Sequence, residues 1–146
     1  MRITLNRPEV TNALSIRLSD DLLRAFEYLR DSTAVKVFVI TGAGGNFCAG
    51  DDLTEMGSGA WGDANAVMRR VRTYQHMANS LEELDKITVA AVDGFCVGGG
   101  LKLTMACDFR HRYRAQPLGH AGGRLGHCAR LGRYDASGHA HRQTHD

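Results

Sequence analysis

Two glycine-rich segments have the residue types and spacing to do chemistry: "TGAGGNFCAGDDL" from Thr41 and "DGFCVGGGLKL" from Asp93. Each follows an apolar, β-branched run, "VKVFVI" and "ITVAAV". Loops at corresponding strand ends can face each other. One backbone N–H from each, aimed at a single point, makes an oxyanion hole that stabilises a carbonyl as it becomes an enolate. Glycine suits this work because the main chain must approach a ligand with no Cβ in the way, and the start of a following helix adds partial positive charge. Taken alone, either loop is more economically a tight turn. Neither is a nucleotide loop, since GxGxxG and the Walker pattern are both absent.

The surrounding segments must position these loops. "MRITLN" reads as a short strand broken by Pro8, which lacks the ladder donor. Leu18, Leu22, Phe26 and Leu29 recur at spacings of four, four and three, which predicts a helix over 15–30 with Asp20, Arg24 and Arg30 facing water. The run from Val35 is apolar on both pleat faces, as in a central strand covered on both sides. Asp63 is placed to cap a second helix carrying Val67, Val71, Tyr74, Ala78, Leu81 and Leu84 inward. The run from Ile87 predicts another buried strand, and "GGGLKLTMA" a third helix with Leu101, Leu103 and Met105 as core contacts. Strand and helix alternate three times, the pattern of a layered α/β fold, because parallel strands need crossover helices.

A chain of 146 residues suffices for one domain with a real core. Its formal net charge of +2 hides an asymmetry. Residues 1–110 carry 12 Lys and Arg against 14 Asp and Glu, whereas residues 111–146 carry 6 Arg against 2 Asp. A weakly acidic body gives no reason to expect specific nucleic-acid binding, and a short basic tail attracts polyanions only generally. Cys48, Cys96, Cys107 and Cys128 show no CxxC spacing and read as reduced thiols. There is no secretory pattern and no apolar run of about 18 residues, so a cytoplasmic protein without membrane partners is expected.

"ITLNRPEVTNALS", "VFVITGAGGNFCAGDDL" and "VAAVDGFCVGGGLKLTMACDFR" together resemble the crotonase superfamily, the enoyl-CoA hydratases and isomerases, in order and spacing over about residues 3–110. The resemblance implies the N-terminal part of a crotonase-like ββα spiral core, with a coenzyme A thioester as substrate, no cofactor, and a role in fatty acid metabolism. It places the two oxyanion amides on Asp51, just after the "AG" pair, and on Gly99, the middle glycine of the triplet. Ala49, Gly50, Asp52, Leu53 and Gly98 would line the substrate, and Arg7 and Ala13 would meet the CoA phosphate and ribose.

Departures from the family pattern bear on activity. Two-base hydratases have a Glu on the first turn after the triplet, where this chain has Lys102; Lys102 reads equally as a solvated helix residue. That leaves lyase and isomerase chemistry both open. Cys48 reads as a small buried residue and Glu55 as a surface carboxylate. The last 36 residues hold 6 Gly, 6 Arg and 6 His with no sustained period, and read as a disordered tail distinct from a core over 1–110. His120, His127, His139, His141 and His145, with Cys128, match no defined zinc spacing, so no metal is expected.

After "ACDFR" the family continues with Ile-Ala-Thr, where this chain has His111-Arg112-Tyr113-Arg114. Those residues can be encoded CAT CGC TAC CGA, and the same bases read one position later give Ile-Ala-Thr-Glu. The same offset permits Met-Pro-Glu from His120 and Leu-Gly-Ile-Val-Pro from Leu125, both family-like. A frameshift near codon 111 would truncate the family sequence and put Gly122 where the catalytic Glu belongs. Impaired turnover, a compromised trimer or hexamer, and exposed apolar faces prone to aggregation are then expected. The competing reading is a non-catalytic CoA-binding remnant or interaction module with a basic tail.

Overall fold

The computed structural model describes residues 1–57, 62–112 and 118–119. Strands β1 (Arg2–Leu5), β2 (Val37–Gly42), β3 (Ile87–Val92) and β5 (Phe109–Arg112) form one sheet in the order β1-β2-β3-β5. Every pairing is parallel, with Ile3 opposite Ile40, Val39 opposite Val89 and Val89 opposite Phe109. A second, two-stranded parallel ladder joins β4 (Cys96–Val97) to β6 (Leu118–Gly119). The α/β architecture and parallel sheet expected from the alternating pattern are present.

Helix α1 (Ile16–Asp31) begins where Ser15 accepts a hydrogen bond from the Leu18 amide at 3.1 Å. It buries Leu22, Phe26 and Leu29. Phe26 meets Phe38 of β2 edge to face, with ring centroids 6.1 Å apart. After the short α2 (Leu53–Gly57), α3 (Ala64–Glu82) is capped by Asp63, which accepts from Ala66 at 2.7 Å. Helices α1 and α3 pack on each other, and Phe47, Met77, Leu81 and Leu103 join the same core.

Four details differ from expectation. On α3 the inward stripe is Arg70, Tyr74, Met77 and Leu81, whereas Val71 is exposed. A buried arginine displaced the apolar count by a residue, because a hydrophobic period cannot score it. On α4 (Gly99–Met105) Leu101 and Leu103 are buried, but Met105 is 60% exposed. In β2 and β3, Phe38, Ile40, Ala90 and Val92 are buried while Val37 and Ile87 are exposed. Only one face of these strands is fully covered among the described residues, although both are apolar. The sheet also runs past residue 110: His111 and Arg112 continue β5 opposite Ala91 and Val92.

Candidate functional site

Main-chain stitching brings the two glycine loops together. Residues 47–50 lie between the turn after β1 and the segment after β3. The Phe47 and Cys48 amides both donate to the Phe95 carbonyl at 3.0 Å, and the Val97 amide donates to the Cys48 carbonyl at 3.0 Å. On the other side, Ala49 donates to the Thr11 carbonyl at 2.9 Å and Leu14 donates to the Gly50 carbonyl at 2.7 Å. Asn12, fully buried at φ 56°, clamps the arrangement. Its Nδ2 donates to the Ala43 and Asn46 carbonyls at 2.9 and 2.7 Å, and its Oδ1 accepts from the Arg7 amide at 2.9 Å. No sequence motif argument assigned Asn12 a role, since its carbonyl partners lie more than thirty positions away; its left-handed backbone is one that Asn tolerates.

At the junction the loops touch through Gly50 and Gly98, with φ of 86° and 52°. A Cβ on Gly50 would lie 3.1 Å from the Val97 carbonyl oxygen, 3.3 Å from Gly98 Cα and 3.4 Å from the Gly99 nitrogen. Here glycine is needed for both conformation and approach. The sequence-predicted residues Ala49, Gly50, Asp51, Gly98 and Gly99 are therefore neighbours. Leu14 uses its amide on Gly50 and its carbonyl on Asp52, so this ladder bypasses the Asp51 amide. Gly99 opens α4, whose first-turn amides have no intrahelical acceptor. Neither the Asp51 nor the Gly99 N–H has an acceptor among the described residues.

Other predicted residues are placed differently. Asp52 is buried, and its carboxylate is engaged by Arg7 Nη1 at 2.8 Å, the Thr54 hydroxyl at 2.6 Å and the Thr54 amide at 3.1 Å. The Thr54 hydroxyl and then the Arg7 guanidinium hold its carboxyl below the ordinary 3.8. Asp52 thus closes the start of α2. Arg7 Nη1 also donates to the Ala13 carbonyl at 2.8 Å, so this arm of the guanidinium is committed within the protein. Leu53 is 73% exposed, and Lys102 is exposed on α4. Glu55 secures the start of α1, where both of its carboxylate oxygens accept from the Ile16 amide, at 2.9 and 3.2 Å. Cys48 is fully buried, and burial pushes its thiol up to about 12, which removes the thiolate a nucleophile needs.

The described residues hold no group of three or more His, Cys, Asp or Glu able to bind a metal, and no helix among them is long and apolar enough to cross a membrane. The tail histidines, Cys128 and Gly122 lie outside the described residues. A cleft of about 660 Å³ opens between β1 and α1, lined in part by Arg7, Arg17 and Glu55; it does not include Asp51 or Gly99.

Comparison with known proteins identifies the family. A family model described as enoyl-CoA hydratase/isomerase matches residues 1–136. Mevalonyl-coenzyme A hydratase of Aspergillus fumigatus is 39% identical over 111 residues, 73% of this chain and 38% of that protein. The peroxisomal Delta(3,5)-Delta(2,4)-dienoyl-CoA isomerase of Arabidopsis thaliana is 30% identical over 118 residues, 75% of this chain and 42% of that one. Among solved structures, enoyl-CoA hydratase from Bacillus anthracis superposes with a TM-score of 0.76 at 32% identity, covering 82% of this chain and 45% of that one. The chain spans less than half the length of these relatives. With its parallel sheet, its two apposed glycine loops and a family match over most of its length, the chain belongs to the enoyl-CoA hydratase/isomerase family, within the crotonase superfamily.

Proposed function

We propose that this chain binds an acyl-CoA thioester and polarises its carbonyl with the main-chain amides of Asp51 and Gly99. The observation that carries the reading is that these two N–H groups lack acceptors among the described residues and lie on loops fixed in contact at Gly50 and Gly98. Relatives bearing hydratase and isomerase names act on CoA thioesters by those names, which supports this substrate class. As charge moves onto the thioester oxygen, both amides strengthen their bonds to it. Loss of one such donor typically costs about 10²–10³ in kcat, or 3–4 kcal/mol. Ala49, Leu53 and Gly98 flank the acyl-thioester path, and the chemistry needs no cofactor.

Turnover is proposed to be impaired. Hydration requires one group to take a proton from water and another to deliver one to the α-carbon. Lys102 stands where one carboxylate is expected, and in the frameshift reading Gly122 stands where the other belongs. The exposure of Lys102 favours the second reading, a CoA-binding protein without catalysis. Calorimetric titration with CoA and a crotonyl-CoA hydration assay separate the two. Binding without turnover supports an impaired site, turnover at family-like rates refutes the missing-base argument, and absence of binding refutes the substrate class. Sequencing the locus from codon 105 tests the frameshift, which fails if the offset frame closes at once or encodes nothing family-like.

A further inference from the structure

Behind the two amides lies a buried polar cluster that the proposed hole does not use. The Asp51 side chain folds inward, with Oδ1 3.2 Å from where a Cβ on Gly99 would sit; this oxygen is buried with no donor in full hydrogen-bonding geometry among the described residues, the Tyr74 hydroxyl being a polar group that interacts with the carboxylate. Tyr74 of α3 packs beside this carboxylate; burial first, and the neighbouring Asp51 second, push its hydroxyl well above its usual range. The Tyr74 hydroxyl donates to the Leu14 carbonyl at 3.4 Å. Arg70, only 7% exposed, donates from Nη2 to the same carbonyl at 3.2 Å and to Ser19 Oγ at 3.3 Å, and its Cζ lies 4.4 Å over the Tyr74 ring. No carboxylate pairs with Arg70 among the described residues, and its Nε is also buried without a partner.

A carboxylate against Gly99 is electrostatically adverse to an oxyanion formed at that point, because like charges repel strongly where water is excluded. A buried cation without a carboxylate is equally unusual, since charges inside a protein are normally paired. The two anomalies meet across the Tyr74 ring and the Leu14 carbonyl, and Leu14 is bridged to Asp51 itself. We propose that Arg70 is a positioning residue for the oxyanion loops. Held on Leu14 and Ser19 and stacked on Tyr74, it fixes the Leu14–Asp51 bridge and cancels the field of the Asp51 carboxylate where the Asp51 and Gly99 amides converge. This role rests on the oxyanion function proposed for those two amides.

The test uses cinnamoyl-CoA, whose absorption moves to longer wavelength when its carbonyl is polarised, so turnover is not required. The full chain is expected to bind it with a red shift. Arg70→Met is expected to lose half or more of the shift and about tenfold in affinity, within the range by which residues that do not touch a ligand modulate its binding. Arg70→Lys should recover part of both. The double variant Asp51→Asn with Arg70→Met should give a larger shift than Arg70→Met alone, because the charge to be cancelled is gone. If the parent chain gives no shift, the oxyanion reading fails. If the parent shifts and Arg70→Met matches it, or the double variant is not rescued, that reading stands and the role of Arg70 is refuted. Should Arg70→Met not fold, Asp51→Asn alone decides: a larger shift than the parent is expected, and an equal or smaller one overturns the role.

Discussion

Replacing Asn12 with Ala tests whether the loop clamp holds the site together. Asn12 is fully buried and makes three hydrogen bonds, to the Arg7 amide and to the Ala43 and Asn46 carbonyls. Alanine removes all three and strands their partners. At about 1 kcal/mol for each partly buried bond, the loss is about 3 kcal/mol. The backbone at φ 56° adds about 1 kcal/mol, because Ala tolerates the left-handed region less well than Asn. A total of about 4 kcal/mol is a large share of the roughly 5–15 kcal/mol typical of a domain. With a urea m-value of about 2 kcal/mol/M, the unfolding midpoint followed by circular dichroism should fall by about 2 M. Asn12→Gly should recover about 1 kcal/mol of this, since glycine removes the backbone cost but not the lost bonds. A decrease below about 1 kcal/mol for Asn12→Ala, or Gly faring worse than Ala, would refute the reasoning.

Gly50→Ala should abolish thioester binding, measured by calorimetry, because the new Cβ meets Val97, Gly98 and Gly99 at 3.1–3.4 Å in a left-handed backbone; unchanged affinity would contradict the loop contact. Cys48 and Cys107, both pushed up to about 12 by burial, should resist iodoacetamide at pH 8 in the folded chain and react once urea is added. Stoichiometric labelling of Cys48 or Cys107 in the native protein, located by peptide mapping, would count against this. Asp52 and Asp108 are held below the ordinary 3.8, chiefly by Thr54 and by the backbone and hydroxyl of Thr88. A depressed carboxyl contributes stability that is complete above its unfolded value and lost as pH falls through its folded one, so the loss belongs below about pH 4. Asp52→Asn should flatten the acid limb of a stability–pH curve, and an unchanged limb would refute that assignment. Phe26→Ala should cost about 3–5 kcal/mol, read from the same urea titration, given complete burial against Phe38.

What the sequence disclosed was governed by local rules. Asp63 caps its helix as expected, and Ser15, at the start of the expected first helix, caps α1, because capping depends on residues three positions away. The β-branched runs became β2 and β3, and the glycine loops met because parallel strands of one sheet deliver them to the same end. Features set by distant partners were not readable. Arg70 is buried by Leu14 and Ser19, more than fifty positions away, and Asn12 by carbonyls more than thirty positions away. The Asp52 carboxylate is engaged by Arg7, 45 positions away, a pairing that no local pattern shows. β5 was missed because "FRHR" has no apolar alternation; its four residues are exposed, and backbone pairing with β3 defines it.

The central claim is that the Asp51 and Gly99 amides polarise a thioester carbonyl. It is tested most directly by isotope-edited infrared spectroscopy of crotonyl-CoA carrying carbon-13 at the carbonyl, bound at saturation to the full chain. Hydrogen bonds from two amides weaken the C=O bond, so the account predicts a stretch at lower frequency than in free crotonyl-CoA. A saturated complex whose carbonyl stretch is unmoved would contradict it.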